Sequence, residues 1–145
     1  MYSEIVKHRL ASLCRSAGIS NDKEAELWTQ LEQRYSEEHR FYHTLRHIAS
    51  LLTMSAEAMK CDPPKLSSPD TVDWAILYHD VVYDAKSKTN EEDSADLFRA
   101  LFSTSDTSSG EGKGEGEGST LLPREMMDNV YVNHRLCLEG YIYVL

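Results

Sequence analysis

Residues 74–84 read Trp-Ala-Ile-Leu-Tyr-His-Asp-Val-Val-Tyr-Asp, an apolar run with an imidazole and a carboxylate, His79 and Asp80, side by side in its middle. A run this apolar is buried on most sides in a folded domain, and a buried charge or unpaired polar group costs several kcal/mol unless it is hydrogen-bonded, paired or bound to metal. The fold must therefore carry partners for both groups into the interior. Candidate partners stand upstream in Tyr42-His43-Thr44-Leu45-Arg46-His47, where two histidines lie four residues apart.

A chain of 145 residues has the length for one domain with one core. A net charge of −9 and a pI near 5.1 argue against a nucleic-acid duplex or an anionic membrane surface as the partner, since both select for basic patches. An anionic substrate would need a local cation, such as a metal. Cys14, Cys61 and Cys137 are odd in number, widely spaced and outside any metal-binding or redox pattern, and they read as reduced thiols of a cytoplasmic or nuclear protein. Residues 1–20 scatter Lys7, His8, Arg9 and Arg15 among apolar positions, so they lack the continuous apolar core of a signal peptide. No apolar run approaches the roughly 20 residues that cross a bilayer. Oligomeric state leaves no mark on the sequence.

The remaining pattern is helical. Val6, Leu10 and Leu13 fall at helical spacing over 4–17, with Gly18 as the stop. A second helix is expected from Asn21 as the cap, with Glu24 completing a capping box and Leu27, Trp28, Leu31 and Tyr35 as its apolar stripe. Residues 36–41 are charged and turn the chain. A third helix is predicted over 44–60, with Leu45, Ile48, Leu51, Leu52 and Met59 buried. On it His47 borders the stripe, and His43 lies one turn before it. Pro63-Pro64 marks a loop, and Ser68-Pro69 opens the helix that contains the His-Asp pair, apolar nearly all round and hence central. Asn90 with Asp93 resembles a further cap, ahead of a helix over 91–102 that buries Ala95, Leu97, Phe98, Leu101 and Phe102.

Residues 103–120 change to Ser, Thr, Gly and Glu, a composition that cannot bury enough apolar surface to offset its ordering entropy, and are expected to be disordered. The tail over 121–145 has strand-like stretches at 130–132 and 141–145 with no obvious pairing edge elsewhere.

His43, His47, His79 and Asp80 are borderline-hard metal ligands on two predicted helices that should pack together. A structural alternative also stands: histidines four apart arise by chance on helix surfaces, and capping or hydrogen bonding can satisfy them. The order His47, then His79-Asp80 in an apolar helix, resembles the HD-domain superfamily of metal-dependent phosphohydrolases. A nearer resemblance is to a family of small predicted HD phosphohydrolases, carried by Glu38 through Ile48 (Glu-His-Arg-Phe-Tyr-His-Thr-Leu-Arg-His-Ile), Tyr78 through Asp84, and Asn90 through Ala95 (Asn-Glu-Glu-Asp-Ser-Ala). The resemblance covers the region from about Trp28 to Phe102.

The resemblance implies an all-α, HD-domain-like helical bundle, occupying 1–102 and incomplete at its C-terminus. It implies that His47, His79 and Asp80 hold a divalent metal, whether Mn, Mg, Fe or Zn. Tyr42-His43 with His47 also looks like an element of cyclic nucleotide phosphodiesterases in which the first histidine protonates the leaving oxygen, which makes His43 the candidate general acid. Tyr83, Asp84, Asn90 and Glu91 are candidate supporting or substrate contacts, with helix capping the alternative for Asn90. The substrate implied is a small phosphate ester, with nucleotides among the candidates. Family members continue into helices that carry a distal metal-binding aspartate. Here the linker intervenes and Asp128 is the sole aspartate of the tail, so the chain reads as a truncated or alternatively terminated version of a longer protein. Three functions follow: an active phosphohydrolase, a catalytically impaired HD domain that binds metal or a protein, and a purely structural helical module.

Overall fold

In a computed structural model, residues 1–61, 68–103 and 122 are described, and they form an all-helical domain. Helix α1 spans Tyr2–Ser16, α2 Asn21–Tyr35, α3 Leu45–Met59, α4 Pro69–Tyr78 and α5 Asn90–Phe102, and there is no β-strand among the described residues. None of these helices is long and apolar enough to cross a membrane.

The ends of the helices follow local chemistry. Gly18, at φ +70°, terminates α1 as expected: its N–H donates to the Arg15 carbonyl, and the Ile19 N–H reaches back to Cys14. This double bond is the Schellman arrangement, which calls for a left-handed residue at that position. Two expected caps are displaced by one residue. Ser20, not Asn21, caps α2, its hydroxyl accepting from the Lys23 N–H. Thr89, not Asn90, precedes α5, and its hydroxyl donates to Asp93 at 2.9 Å. Ser68 does flank α4 with Pro69 at its first position, but the Ser68 hydroxyl pairs with that of Thr71 rather than with a backbone N–H.

Helix α4 lies at the centre. Thr71 and every residue from Asp73 to Tyr78 are buried, and the helix contacts α1, α3 and α5. Trp74 and Tyr78 meet Phe98 and Phe102 of α5, with Trp74–Phe102 and Tyr78–Phe98 ring centroids both 5.1 Å apart in edge-to-face geometry. Such pairs add about 1 kcal/mol each to the burial of their area. Val6, Leu10 and Leu13 of α1, Leu27, Leu31 and Tyr35 of α2 and Ile48, Leu51 and Leu52 of α3 join α4 in the core. Leu45, Met59, Leu97 and Leu101, expected to be buried, are half-buried. At the start of α4, Arg9 of α1 pairs with Asp70 at 2.8 Å and with buried Asp73, which fixes α1 across the helix N-terminus. Carboxylates suit that end, where the helix dipole is positive.

The expected position of the His-Asp pair inside a helix is corrected. Helix α4 ends at Tyr78, His79 is its C-cap and Asp80 begins a turn that runs to Asp84. The apolar run continues as Val81 and Val82, but its backbone has left the helix. Of the disordered stretch and the tail expected beyond α5, all but Ser103 and Leu122 lie outside the described residues, Asp128 among them. Leu122 is fully buried within the core cluster.

Candidate metal centre

The exit of α4 holds its shape because side chains take up backbone groups that the helix no longer satisfies. The His79 ring Nδ1 is 2.8 Å from the Ile76 carbonyl, and the buried Tyr35 hydroxyl donates to the Leu77 carbonyl at 2.9 Å. Arg40 donates to the carbonyls of Asp80 and Val81 at 2.6 and 3.0 Å. Ser94 of α5 accepts from the Val82 N–H and donates to the Val82 carbonyl, the His39 ring meets the Tyr83 carbonyl at 3.0 Å, and the Asn90 amide bonds both the N–H and the carbonyl of Asp84. Buried backbone groups left unpaired would each cost free energy comparable to a lost hydrogen bond. The turn 79–84 is therefore clamped from α2, from the segment before α3 and from α5.

Within that frame the sequence-predicted ligands converge. One ligand atom each from His47, His79 and Asp80 can be chosen so that all lie within 4.8 Å of one another. Bonds of about 2.1 Å to one ion place neighbouring ligand atoms roughly 3 to 4 Å apart, so small side-chain rotations would close the set. His79 and Asp80 are buried, His47 is half-buried, and the His47 and His79 ring centroids are 5.5 Å apart. His43 stands just ahead of α3, with its Nε2 3.7 Å from Asp80 Oδ2 and its side chain 30% exposed. These side chains share one environment at the α3–α4 junction.

The donor chemistry fits a cation. A carbonyl only accepts, so the contact with Ile76 places a proton on His79 Nδ1 and turns Nε2 toward the site, the arrangement that metal-binding histidines use. That Nε2 stands 2.9 Å from Asp80 Oδ2. Its N–H donates to the carboxylate, and a cation bound between the two would take the place of that proton. Burial lowers the His47 pKa to about 4, and the positive potential of His79 adds to the effect, so its imidazole is neutral at neutral pH and has a lone pair to give. For Asp80, burial pushes the carboxyl up, but the hydrogen bond and charge of His79, with His43 and His47 adding, outweigh it and hold the group below its ordinary value.

The supporting candidates divide. Tyr83 belongs to the site: its ring lies 4.6 Å from that of His43 and stacks near-parallel on His39, at 6.1 Å. Asp84 is exposed and its carboxylate accepts from the Lys86 N–H, which makes it a turn-former. Asn90 is not the cap of α5, and its amide clamps the backbone of Asp84. Glu91 stands half-buried in the first turn of α5. Arg40, read from sequence as one residue of a charged turn, is buried at this site, and nothing in its spacing or composition distinguishes it from the exposed residues around it. Tyr42, also unassigned, lays its ring 4.7 Å from that of His47.

No family model, curated protein or solved structure matches the chain.

Proposed function

We propose that the chain is an HD-type, metal-dependent phosphohydrolase that cleaves a small phosphate ester, with His47, His79 and Asp80 holding a divalent ion and His43 supplying the proton to the leaving group. The observation that carries this reading is the gathering of two imidazole nitrogens and a carboxylate around one point, with a third imidazole, that of His43, at the open side. A divalent ion bound there supplies charge to a phosphoryl group and activates water for attack on phosphorus. Two imidazoles and one carboxylate favour Mn, Fe or Zn over Mg, which prefers an all-oxygen shell.

The chain's own residues divide the work by position. His79 is oriented by Ile76 through Nδ1, which keeps Nε2 aimed at the shared point. Asp80 offsets the positive charge of the ion. His43, partly exposed and 3.7 Å from Asp80, is placed to meet a departing alkoxide at the rim, and imidazole is the usual side chain for moving a proton near neutral pH. Tyr83 packs beside His43 and limits its ring motion.

A screen of nucleotides and generic phosphate esters with Mn²⁺ and Mg²⁺ tests the proposal. Turnover should appear, and His43→Ala should lower it by about 10²- to 10⁴-fold, the usual contribution of a general acid, without loss of bound metal. The described residues bring together three ligand side chains, whereas the resemblance implies a fourth on a later helix. Metal binding without turnover would accordingly select the second reading, a catalytically impaired HD domain that serves as a metal- or protein-binding module.

A further inference from the structure

Arg40 is the buried cation that the proposed chemistry does not use. Its side chain is 0% exposed, on a segment otherwise open to solvent, and a buried guanidinium is retained only where its donors and charge are satisfied. Every satisfying contact lies at the site. Nε donates to Glu37 at 2.9 Å, Nη2 to the Val81 carbonyl at 3.0 Å, and Nη1 to the Asp80 carbonyl at 2.6 Å and the His43 carbonyl at 3.4 Å. The guanidinium plane is flanked by the Tyr35 and Tyr83 rings, at 5.1 and 5.4 Å from their centroids. It also sits beyond the C-terminus of α4, where the helix dipole is negative and a cation is favoured.

We infer that Arg40 is a positioning residue that sets the spacing between His43 and Asp80, because one guanidinium nitrogen holds the backbone carbonyls of both. The inference rests on the metal-site reading for its consequence but not for its geometry. A guanidinium is a rigid fork and bonds several acceptors in one plane, while an ammonium is a point charge on a flexible stem. Lysine at this position keeps the charge and loses the simultaneous grip on residues 43, 80 and 81. The Asp80 carboxylate then loses its fixed distance from the histidines.

The test compares Mn²⁺ affinity, measured by competition with a chelator, in the full chain, in Arg40→Lys and in Arg9→Ala. Arg9 pairs with Asp70 and Asp73 at the opposite end of α4, so its loss destabilises the fold without touching the site. Arg40→Lys should weaken Mn²⁺ binding by about 10- to 100-fold, as loss of an outer partner of a metal ligand does, while Arg9→Ala stays within about twofold of wild type despite a comparable drop in Tm. Equal Mn²⁺ affinity in Arg40→Lys and wild type overturns the inference, and so does a loss in Arg9→Ala that matches that in Arg40→Lys. If Arg40→Lys does not fold, Glu37→Gln decides, with His39→Gln beside it as the control, because Glu37 pairs with His39 and Arg34 as well as with the Nε end of the fork: a several-fold weaker affinity in Glu37→Gln but not in His39→Gln supports the role, and an unchanged affinity in Glu37→Gln, or an equal loss in both, refutes it. If the wild-type chain binds no Mn²⁺, the metal reading fails and amide hydrogen exchange judges Arg40 separately. Faster exchange in Arg40→Lys confined to residues 79–84 supports it, and an unaltered pattern there overturns it.

Discussion

His47 couples the candidate site to folding through its charge. In the folded chain its pKa lies near 4, against about 6.5 for an unperturbed histidine, so between those values the unfolded chain holds more protons at this position. Stability from this group is present above pH 6.5 and declines as the pH falls toward about 4. Denaturant unfolding of metal-free protein between pH 7 and pH 4 should show that decline, and His47→Asn should flatten it. Parallel slopes in the two proteins would mean that His47 is as easily protonated folded as unfolded. Asp80 acts in the same sense over a lower range: its lowered pKa contributes stability that is lost only as the pH falls below the ordinary aspartate range. The residues with these properties were legible in the sequence: histidines four apart also arise by chance, but an adjacent His-Asp pair in an apolar run demands buried partners. Arg40 was not legible. Its burial exists only when the end of α2, the start of α3 and the exit of α4 meet, and no window of the sequence contains all three.

At the scale of elements, α4 is a short helix whose two ends are held differently. Its N-terminus is tied to α1 by Arg9, and Arg9→Ala would leave Asp73, 7% exposed in its side chain, without its cation. Removing one partner of a buried pair costs about 3 kcal/mol, less where water reaches the gap, and chemical denaturation should record a loss on that scale. A loss below about 0.5 kcal/mol, typical of exposed pairs, would show that Asp73 finds another partner or takes up a proton. The stop of α1 offers a second check. A Cβ at Gly18 meets nothing within 4 Å, so Gly18→Ala should lower stability by the backbone term alone, about 1 kcal/mol for a left-handed residue, with no change at the site. Helix periodicity placed α1, α2, α3 and α5 in the sequence to within a few residues, because each buries a stripe at 3.6-residue spacing, whereas α4 is buried nearly all round. The caps slipped where two good capping residues are neighbours, Ser20 with Asn21 and Thr89 with Asn90. In the second case a long-range bond decides the role: the Asn90 amide is committed to the backbone of Asp84, six residues away. The end of α4 was misplaced for a related reason, since hydrophobicity persists through Val82 while the backbone turns at His79 under side-chain clamps from other elements.

Across the whole molecule, a helical frame brings the ends of α3 and α4 together and presents His47, His79 and Asp80 around one point, with His43 at the open side. The same frame devotes Arg40, Ser94, Asn90, His39 and Tyr35 to holding one short turn or the helix end that precedes it. The most direct measurement is the metal content of the full chain after equilibration with Mn²⁺ and removal of excess, compared with His79→Ala and Asp80→Ala. The account predicts ion bound to the wild-type chain and lost from both variants while the helical signal persists. Equal metal in all three proteins, or none in the wild type, would contradict it.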